Sequence, residues 1–318
     1  MVTDRWGRRR VLMVFLSLSF VGWSIVAASS YHPDQGVAVT SVFLGRFLHG
    51  LADSLGVSPA IIMVSEITTV KRRGMFMNTA AVAASSGIPL AYIIGSFCTW
   101  QTTAWVGSGF PLLGVLIFLL AVHEESPLFL LTRGRRSQSL AALRWYRQGV
   151  KLSEVDQEFK AMEETDKSAD ESRPEEKACL GSFRREETWR PFLIVMVLLG
   201  LVPLTGIMSV TFFAIEMLEG LGFKESTLFV AVSAGTLRAI GSAMAGVIVV
   251  FKGRRFVLLF SCFGAILAIE VATAAMIVRD HLVVSPTCDY ILIGSIPAYM
   301  FFLGNYVNYV IDYSVFNI

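Results

Sequence analysis

Charge is scarce in this sequence. Asp, Glu, Lys and Arg together make 16% of the 318 residues, against about 25% in a soluble globular domain. The shortfall excludes a soluble enzyme, a nucleic-acid binder and a disordered tail. Cysteine is scarce too: Cys98, Cys179, Cys262 and Cys288 have neither metal-ligand spacing nor the density of a disulfide scaffold. The four histidines (His32, His49, His123 and His281) fall on separate segments. No Ser/His/Asp or metal-binding arrangement can be drawn from them, so the expectation is a non-enzyme without metal or cofactor. Glycine-rich phosphate loops are absent as well, which argues against an ATP-driven pump.

Apolar residues are abundant instead, at 54% with a mean hydropathy of +0.61. The charges sit in a few clusters and leave apolar runs of about 20 residues, the helix length needed to cross a hydrocarbon core about 30 Å thick. Eight spans are predicted: 11–29, 38–64, 77–98, 104–122, 191–214, 227–250, 256–278 and 290–311. Continuous apolar runs exclude a transmembrane barrel, whose strands alternate. The charged leader 1–10 runs directly into a full-length span, so a retained helix is expected rather than a cleaved signal. The reading is an all-α polytopic membrane protein with the lipid bilayer as partner.

If residues 1–10 are cytosolic, all but four of the 27 Lys and Arg fall on the cytosolic side. The exceptions are Arg46, Lys224, Arg238 and Arg279. That imbalance is what the positive-inside rule predicts. The one extended polar region, 123–190, carries 13 basic and 14 acidic residues and divides the spans four and four. Residues 138–148 have helical periodicity, whereas 163–178 is charged, contains proline and reads as mobile. The domain reading is a four-helix lobe over 1–122, a cytosolic loop over 123–190 and a second four-helix lobe over 191–318. Such an arrangement suggests a two-lobed transporter.

Asp4-Arg5-Trp6-Gly7-Arg8-Arg9 lies immediately before the first span. Gly7 permits a tight turn between helices, Asp4 can face a neighbouring helix end, and the arginines can pair with carboxylates. Lys252-Gly253-Arg254-Arg255 recurs between the sixth and seventh spans, with Val250 where the acid would stand. Two such turns in equivalent places look like an internal repeat. A plain basic anchor is the competing reading.

Together with Gly45-Arg46-x-Leu48-x-Gly50, Ser65-Glu66-Ile67 before Arg73-Gly74, and Glu125-Ser126-Pro127 before Gly134-Arg135, these motifs carry a resemblance. The chain resembles the sugar-porter family of the major facilitator superfamily, most nearly its insect facilitated trehalose-transporter-like branch. The resemblance fades beyond about residue 285. It implies a helical bundle whose eight spans correspond to family helices three to ten of twelve. A chain in that register looks like the middle of a longer porter, and as written it is expected to transport nothing. The implied function is movement of a small solute, most simply a sugar, across the plasma membrane by alternating access. A non-transporting sensor and an inactive fragment are the rivals.

The resemblance also implies a cytosolic gate of ion pairs: Arg5, Arg8 and Arg9 with Glu66, Arg73 and Glu125, and Arg254 and Arg255 on the other lobe. Arg46, His49 and Asp53 share one face of the second span, a costly place for charge. They are candidates for proton coupling or for a packing ion pair. Arg238 in the sixth span should face the pathway or a neighbouring helix. Gly45, Gly50, Ala52, Ser54 and Gly56 read as close-packing positions. Sugar-binding positions have changed: family glutamines and an asparagine align with Ala81, Val202, Pro203 and Met208. Thr205, Ser209, Thr211, Phe212, Phe213, Asn305 and Asn308 remain as pathway candidates, although a Phe pair in such a helix is more often packing.

Overall fold

Every regular element among the described residues is helical. The computed structural model describes residues 5–69, 73–171, 189, 192–193, 196–197, 200–201, 203–220, 223, 227–281 and 286–316. Four long helices come first: α1 (Arg8–Ala28), α2 (Gln35–Ile67), α3 (Arg73–Phe97) and α4 (Trp100–Ala121). Then follow α5 (Pro127–Thr132), α6 (Arg136–Tyr146), α7 (Leu152–Glu171) and α8 (Ile207–Gly220). The last three are α9 (Thr227–Lys252), α10 (Arg254–His281) and α11 (Pro286–Phe316). Seven of them, α1–α4 and α9–α11, are long and apolar enough to cross a membrane. Their outward faces stay apolar, with Phe43, Leu120 and Phe263 all more than 70% exposed.

The seven match the predicted spans except the fifth, 191–214, which lies largely outside the described residues. Its described end departs from a continuous span. Thr205 and Gly206 form a turn in which Gly206 takes φ +79, and its N–H donates to the Pro203 carbonyl at 3.1 Å. A positive φ ends a helix and suits glycine. Helix α8 then restarts at Ile207 and kinks at Phe213 (φ −116, ψ 20). A second difference concerns 163–178. Residues 163–171 are helical, forming the end of α7, while 172–178 lie outside the described residues. The first half of α7, ahead of that segment, carries an apolar stripe: Val155, Phe159 and Met162, at helical spacing, pack on Leu131, Leu140 and Leu143.

The chain divides into two compact units, Met1–Arg73 with Cys98–Glu176, and Gly74–Phe97 with Lys177–Ile318. In the first unit, α1 packs against α2 and α4. Gly45 meets the Gly22 backbone, Phe15 fills the space over Gly56, and Gly107 admits the Trp23 ring. Ala52 is fully buried beside them. Gly50 and Ser54, also expected to pack, are exposed on the same helix. A Cβ on Gly45 would lie 2.7 Å from the Gly22 carbonyl oxygen and 2.6 Å from Val26 Cγ2, and a backbone carbonyl cannot step aside. Gly45→Val is expected to lower stability by about 1–3 kcal/mol through overpacking. Gly50→Val, with nothing within 4 Å, leaves the detergent melting temperature nearly unchanged.

In the second unit, Ile207, Ala234, Ala268, Tyr299, Met300 and Leu303 form the core. Helix α3 packs here, although the sequence placed it among the first four spans. Gly235 lets Pro89 approach α9 closely, and the buried Ser85 and Ser242 hydroxyls share a hydrogen bond of 3.0 Å.

Candidate functional site

The first Gly-Arg-Arg turn organises one end of the first unit. Gly7 takes φ +91, and a Cβ there would meet Glu125 Oε2 at 2.6 Å. The chain enters α1 at once, so Arg8 and Arg9 point to different partners. Arg8 Nη2 donates to Glu66 Oε1 at 3.0 Å, and its guanidinium lies 4.8 Å from the centre of the Phe129 ring. Arg9 N–H donates to Glu125 Oε1 at 2.9 Å, and Arg9 Nε donates to the Val122 carbonyl at 2.9 Å. Ser126 Oγ completes the set by donating to Glu66 Oε2. The ends of α1, α2 and α5 are thereby tied through one carboxylate.

Burial decides what this tie is worth. The Arg8 and Glu66 side chains are only 12% and 7% exposed. A fully exposed pair contributes about 0–1 kcal/mol, whereas removing one partner of a shielded pair costs about 3–5 kcal/mol. Ser126 was read only as part of the Glu125-Ser126-Pro127 motif, with no role of its own, although Ser-Pro at a helix start is a capping signal. It accepts from Phe129 N–H at 3.4 Å, with Pro127 as the first helical residue.

Helices α5–α7 form a bracket beside the tie. Arg147 binds Glu158 with two bonds of 3.0 and 2.8 Å and donates to the Ile67 carbonyl at 2.7 Å, at the end of α2. Arg136–Glu163 and Arg144–Asp156 pairs join α6 to α7. Ser139 Oγ, fully buried, donates to the Pro127 carbonyl at 2.7 Å. Tyr146 OH donates to the Glu124 carbonyl at 2.8 Å. Burial first, then the carboxylates of Glu125 and Glu124, pushes the Tyr146 phenol up to about 12 from an ordinary 10. The folded state thus favours the neutral phenol. Its contribution is complete below pH 10 and is lost as pH rises to about 12. An ultraviolet titration is expected to show one tyrosine ionising late, and Tyr146→Phe removes that late step.

The other gate candidates fall as follows. Arg5 is exposed, and its carbonyl accepts from Arg133 Nη2 at 3.3 Å. Asp4 and the side chains of Arg73 and Arg254 lie outside the described residues. Arg255 is exposed at the start of α10 in the second unit. The second turn repeats the backbone of the first, since Gly253 takes φ +80.

On α2, His49 Nδ1 lies 3.4 Å from Asp53 Oδ2. Arg46 stacks 5.0 Å over Trp23, whose ring also meets His49 edge-on at 5.3 Å. The shared face exists, but the cation contacts an aromatic ring.

In the second unit, Arg238 Nη1 donates to Thr211 Oγ1 at 3.2 Å. Tyr92, which is not among the candidates drawn from the sequence, donates its OH to the Thr211 carbonyl at 2.5 Å. The Thr205 carbonyl accepts from Tyr299 OH. Ser209, Phe212 and Phe213 are exposed within the unit. The side chains of Asn305 and Asn308 lie outside the described residues. A cleft beside Arg238 is lined by Ile88, Tyr92, Thr211, Ala231, Gly235 and Met300, among others.

Comparisons with known proteins agree with this architecture. The mouse solute carrier family 2, facilitated glucose transporter member 8, is 27% identical over 261 residues, which are 81% of this chain and 49% of that protein. The Drosophila simulans facilitated trehalose transporter Tret1-2 homolog is 23% identical, over 86% of this chain and 54% of its own length. The chain therefore spans about half the length of these curated relatives. Among solved structures, the proton:xylose symporter XylE bound to 6-bromo-6-deoxy-D-glucose superposes with a TM-score of 0.78 at 16% identity, covering 99% of this chain and 68% of that one. The partially occluded inward-open form of XylE from E. coli gives 0.74 at 17% identity, with 99% and 70% coverage. The fold is that of the major facilitator superfamily. With seven membrane-length helices and the family model "Sugar (and other) transporter" matching residues 1–310, the chain is an integral, multi-pass membrane protein and belongs to the sugar transporter family.

Proposed function

We propose that the chain forms the transporting part of a carrier that moves a small polyhydroxylated solute, most simply a sugar, by alternating access. One observation carries the reading: the shielded Arg8–Glu66–Ser126 tie. A charged tie at a membrane–water edge holds while water is excluded and weakens once its ends hydrate, which suits a part that must open and close. In this reading residues 1–122 and 191–318 are the two lobes. The Gly-Arg-Arg turns and the α5–α7 bracket face the cytosol, as the Lys and Arg distribution argues, and the protein resides in the plasma membrane. Arg5, Arg8, Arg9, Glu66, Arg73, Glu125, Arg254 and Arg255 form the gate, and the His49–Asp53 pair is a packing contact.

Glucose, trehalose and xylose, which the relatives' names mention, are the first solutes to try. Labelled uptake is measured in hexose-transport-null yeast expressing the protein that carries this chain. Saturable uptake that excess unlabelled solute suppresses is expected. Uptake equal to the empty vector, with the protein shown at the surface, contradicts the reading.

A further inference from the structure

We propose that one end of the first unit holds a site for an inositol ring carrying two or more phosphates, supplied by a lipid headgroup of the adjacent leaflet or free in solution. The site is a cavity of about 560 Å³ lying wholly within that unit. Its size falls in the range of about 300–1,000 Å³ that takes small molecules. Arg5, Arg9, Arg10, Arg133 and Arg135 line it. Glu124 and Glu125 line it as well, so five guanidinium groups stand against two carboxylates among the described residues. Glu125 Oε1 is already engaged by the N–H groups of Arg9 and Ser126.

The arginines are in part positioned and in part free. Arg9 Nε donates to the Val122 carbonyl. Arg133 donates to the Arg5 carbonyl and lies 5.6 Å from the centre of the Phe129 ring. The side chains of Arg5, Arg10 and Arg135 have no ion-pair or hydrogen-bond partner among the described residues. Like charges gathered round one space repel, and a polyanion relieves them. A guanidinium fork matches phosphate oxygens with paired bonds. Several forks round one cavity suit several phosphates on one ring better than a single one.

Position bears on the source. Arg9 and Arg10 lie in the first turn of α1, and Glu124 and Glu125 follow closely on the end of α4 at Ala121. Both helices are of membrane length, so the cavity lies where spans leave the hydrocarbon, at headgroup level. Trp6, 58% exposed at its wall, is a residue type that anchors at that interface. Basic pockets beside spans on the cytosolic side suit phosphoinositide headgroups. The lipid source thus rests on the orientation given to this end in the carrier reading.

The test is fluorescence-polarisation binding of labelled dioctanoyl phosphatidylinositol 4,5-bisphosphate to the purified full protein in detergent. Wild type is expected to bind it about tenfold or more tighter than dioctanoyl phosphatidylserine. Arg10→Gln with Arg135→Gln should weaken binding about 10- to 30-fold. Lys151→Gln with Lys167→Gln, which removes the same charge from exposed positions outside the cavity, should change it by less than about twofold. Unlabelled inositol 1,4,5-trisphosphate should displace the lipid. Displacement only at about tenfold higher concentration assigns the site to the lipid, and displacement at equal concentration assigns it to the free polyanion. Equal binding of the two lipids, equal weakening by the two variant pairs, or no displacement overturns the proposal. Should the arginine variant fail to fold, the wild-type preference and the displacement decide. None of these measurements requires transport, so failure of the site leaves the carrier reading standing, and failure of uptake leaves the site standing.

Discussion

Uptake falls by about tenfold or more in Glu66→Ala, while the amount of protein at the cell surface stays within about twofold of wild type. The reason lies in what the substitution leaves behind. Glu66 accepts from Arg8 and from Ser126 in a place where both charged partners are mostly hidden from water. Removing the carboxylate leaves Arg8 shielded without its counter-charge and frees the end of α2 from α1 and α5. In the proposed carrier that change alters the balance between open and closed states, not the apolar length of the helices. Insertion depends on the latter. Radiolabelled uptake divided by surface biotinylation separates the two. Equal loss of uptake and surface protein would mean that these charges serve only as topology anchors.

The second large effect distinguishes two glycines that look equivalent. Gly7 and Gly253 both precede Arg-Arg, and both hold a positive φ, +91 and +80. Left-handed backbone costs any residue with a Cβ about 1–2 kcal/mol. Gly253→Ala meets nothing within 4 Å and bears that conformational cost alone. Gly7→Ala also drives its Cβ to 2.6 Å from Glu125 Oε2. That carboxylate cannot simply swing away, because its other oxygen is held by Arg9 N–H at 2.9 Å and Ser126 N–H at 3.2 Å. The expected outcome is a melting temperature lowered several degrees further by Gly7→Ala than by Gly253→Ala. Uptake should suffer in the first and be largely kept in the second. Equal effects would mean that the Glu125 contact carries no weight.

This pair of turns also shows where the sequence was legible. A glycine before two arginines at a span boundary announces a tight turn, and both copies have it. Seven spans could be read because a lipid-crossing helix must be apolar over its whole length. The same hydropathy signal cannot see hydrogen bonds. It therefore ran through Thr205–Gly206, where Gly206 turns the chain back toward Pro203. It also read 163–178 as mobile, whereas 163–171 continue α7, whose first half is anchored by Val155 and Phe159.

The site was legible by charge and illegible by neutrality. Arg8 and Glu66 are ionisable groups at membrane edges and draw attention on that ground. Ser126 is one small hydroxyl among many, and only the folded chain brings it to a carboxylate 60 residues away in sequence. Arg46 illustrates the converse. Its helical spacing suggested a partner along α2, but Trp23 of α1 offers its ring face 5.0 Å from the guanidinium. Spacing along one helix cannot report what a neighbouring helix presents.

The central point is that Arg8 and Glu66 act as one releasable tie. It is tested most directly by a double-mutant cycle on the initial uptake rate per surface molecule. Arg8→Gln and Glu66→Gln should each slow uptake, and the double variant should be no slower than the worse single variant, because either change already breaks the tie. Rate losses that multiply in the double variant, or single variants with wild-type rates, would contradict it.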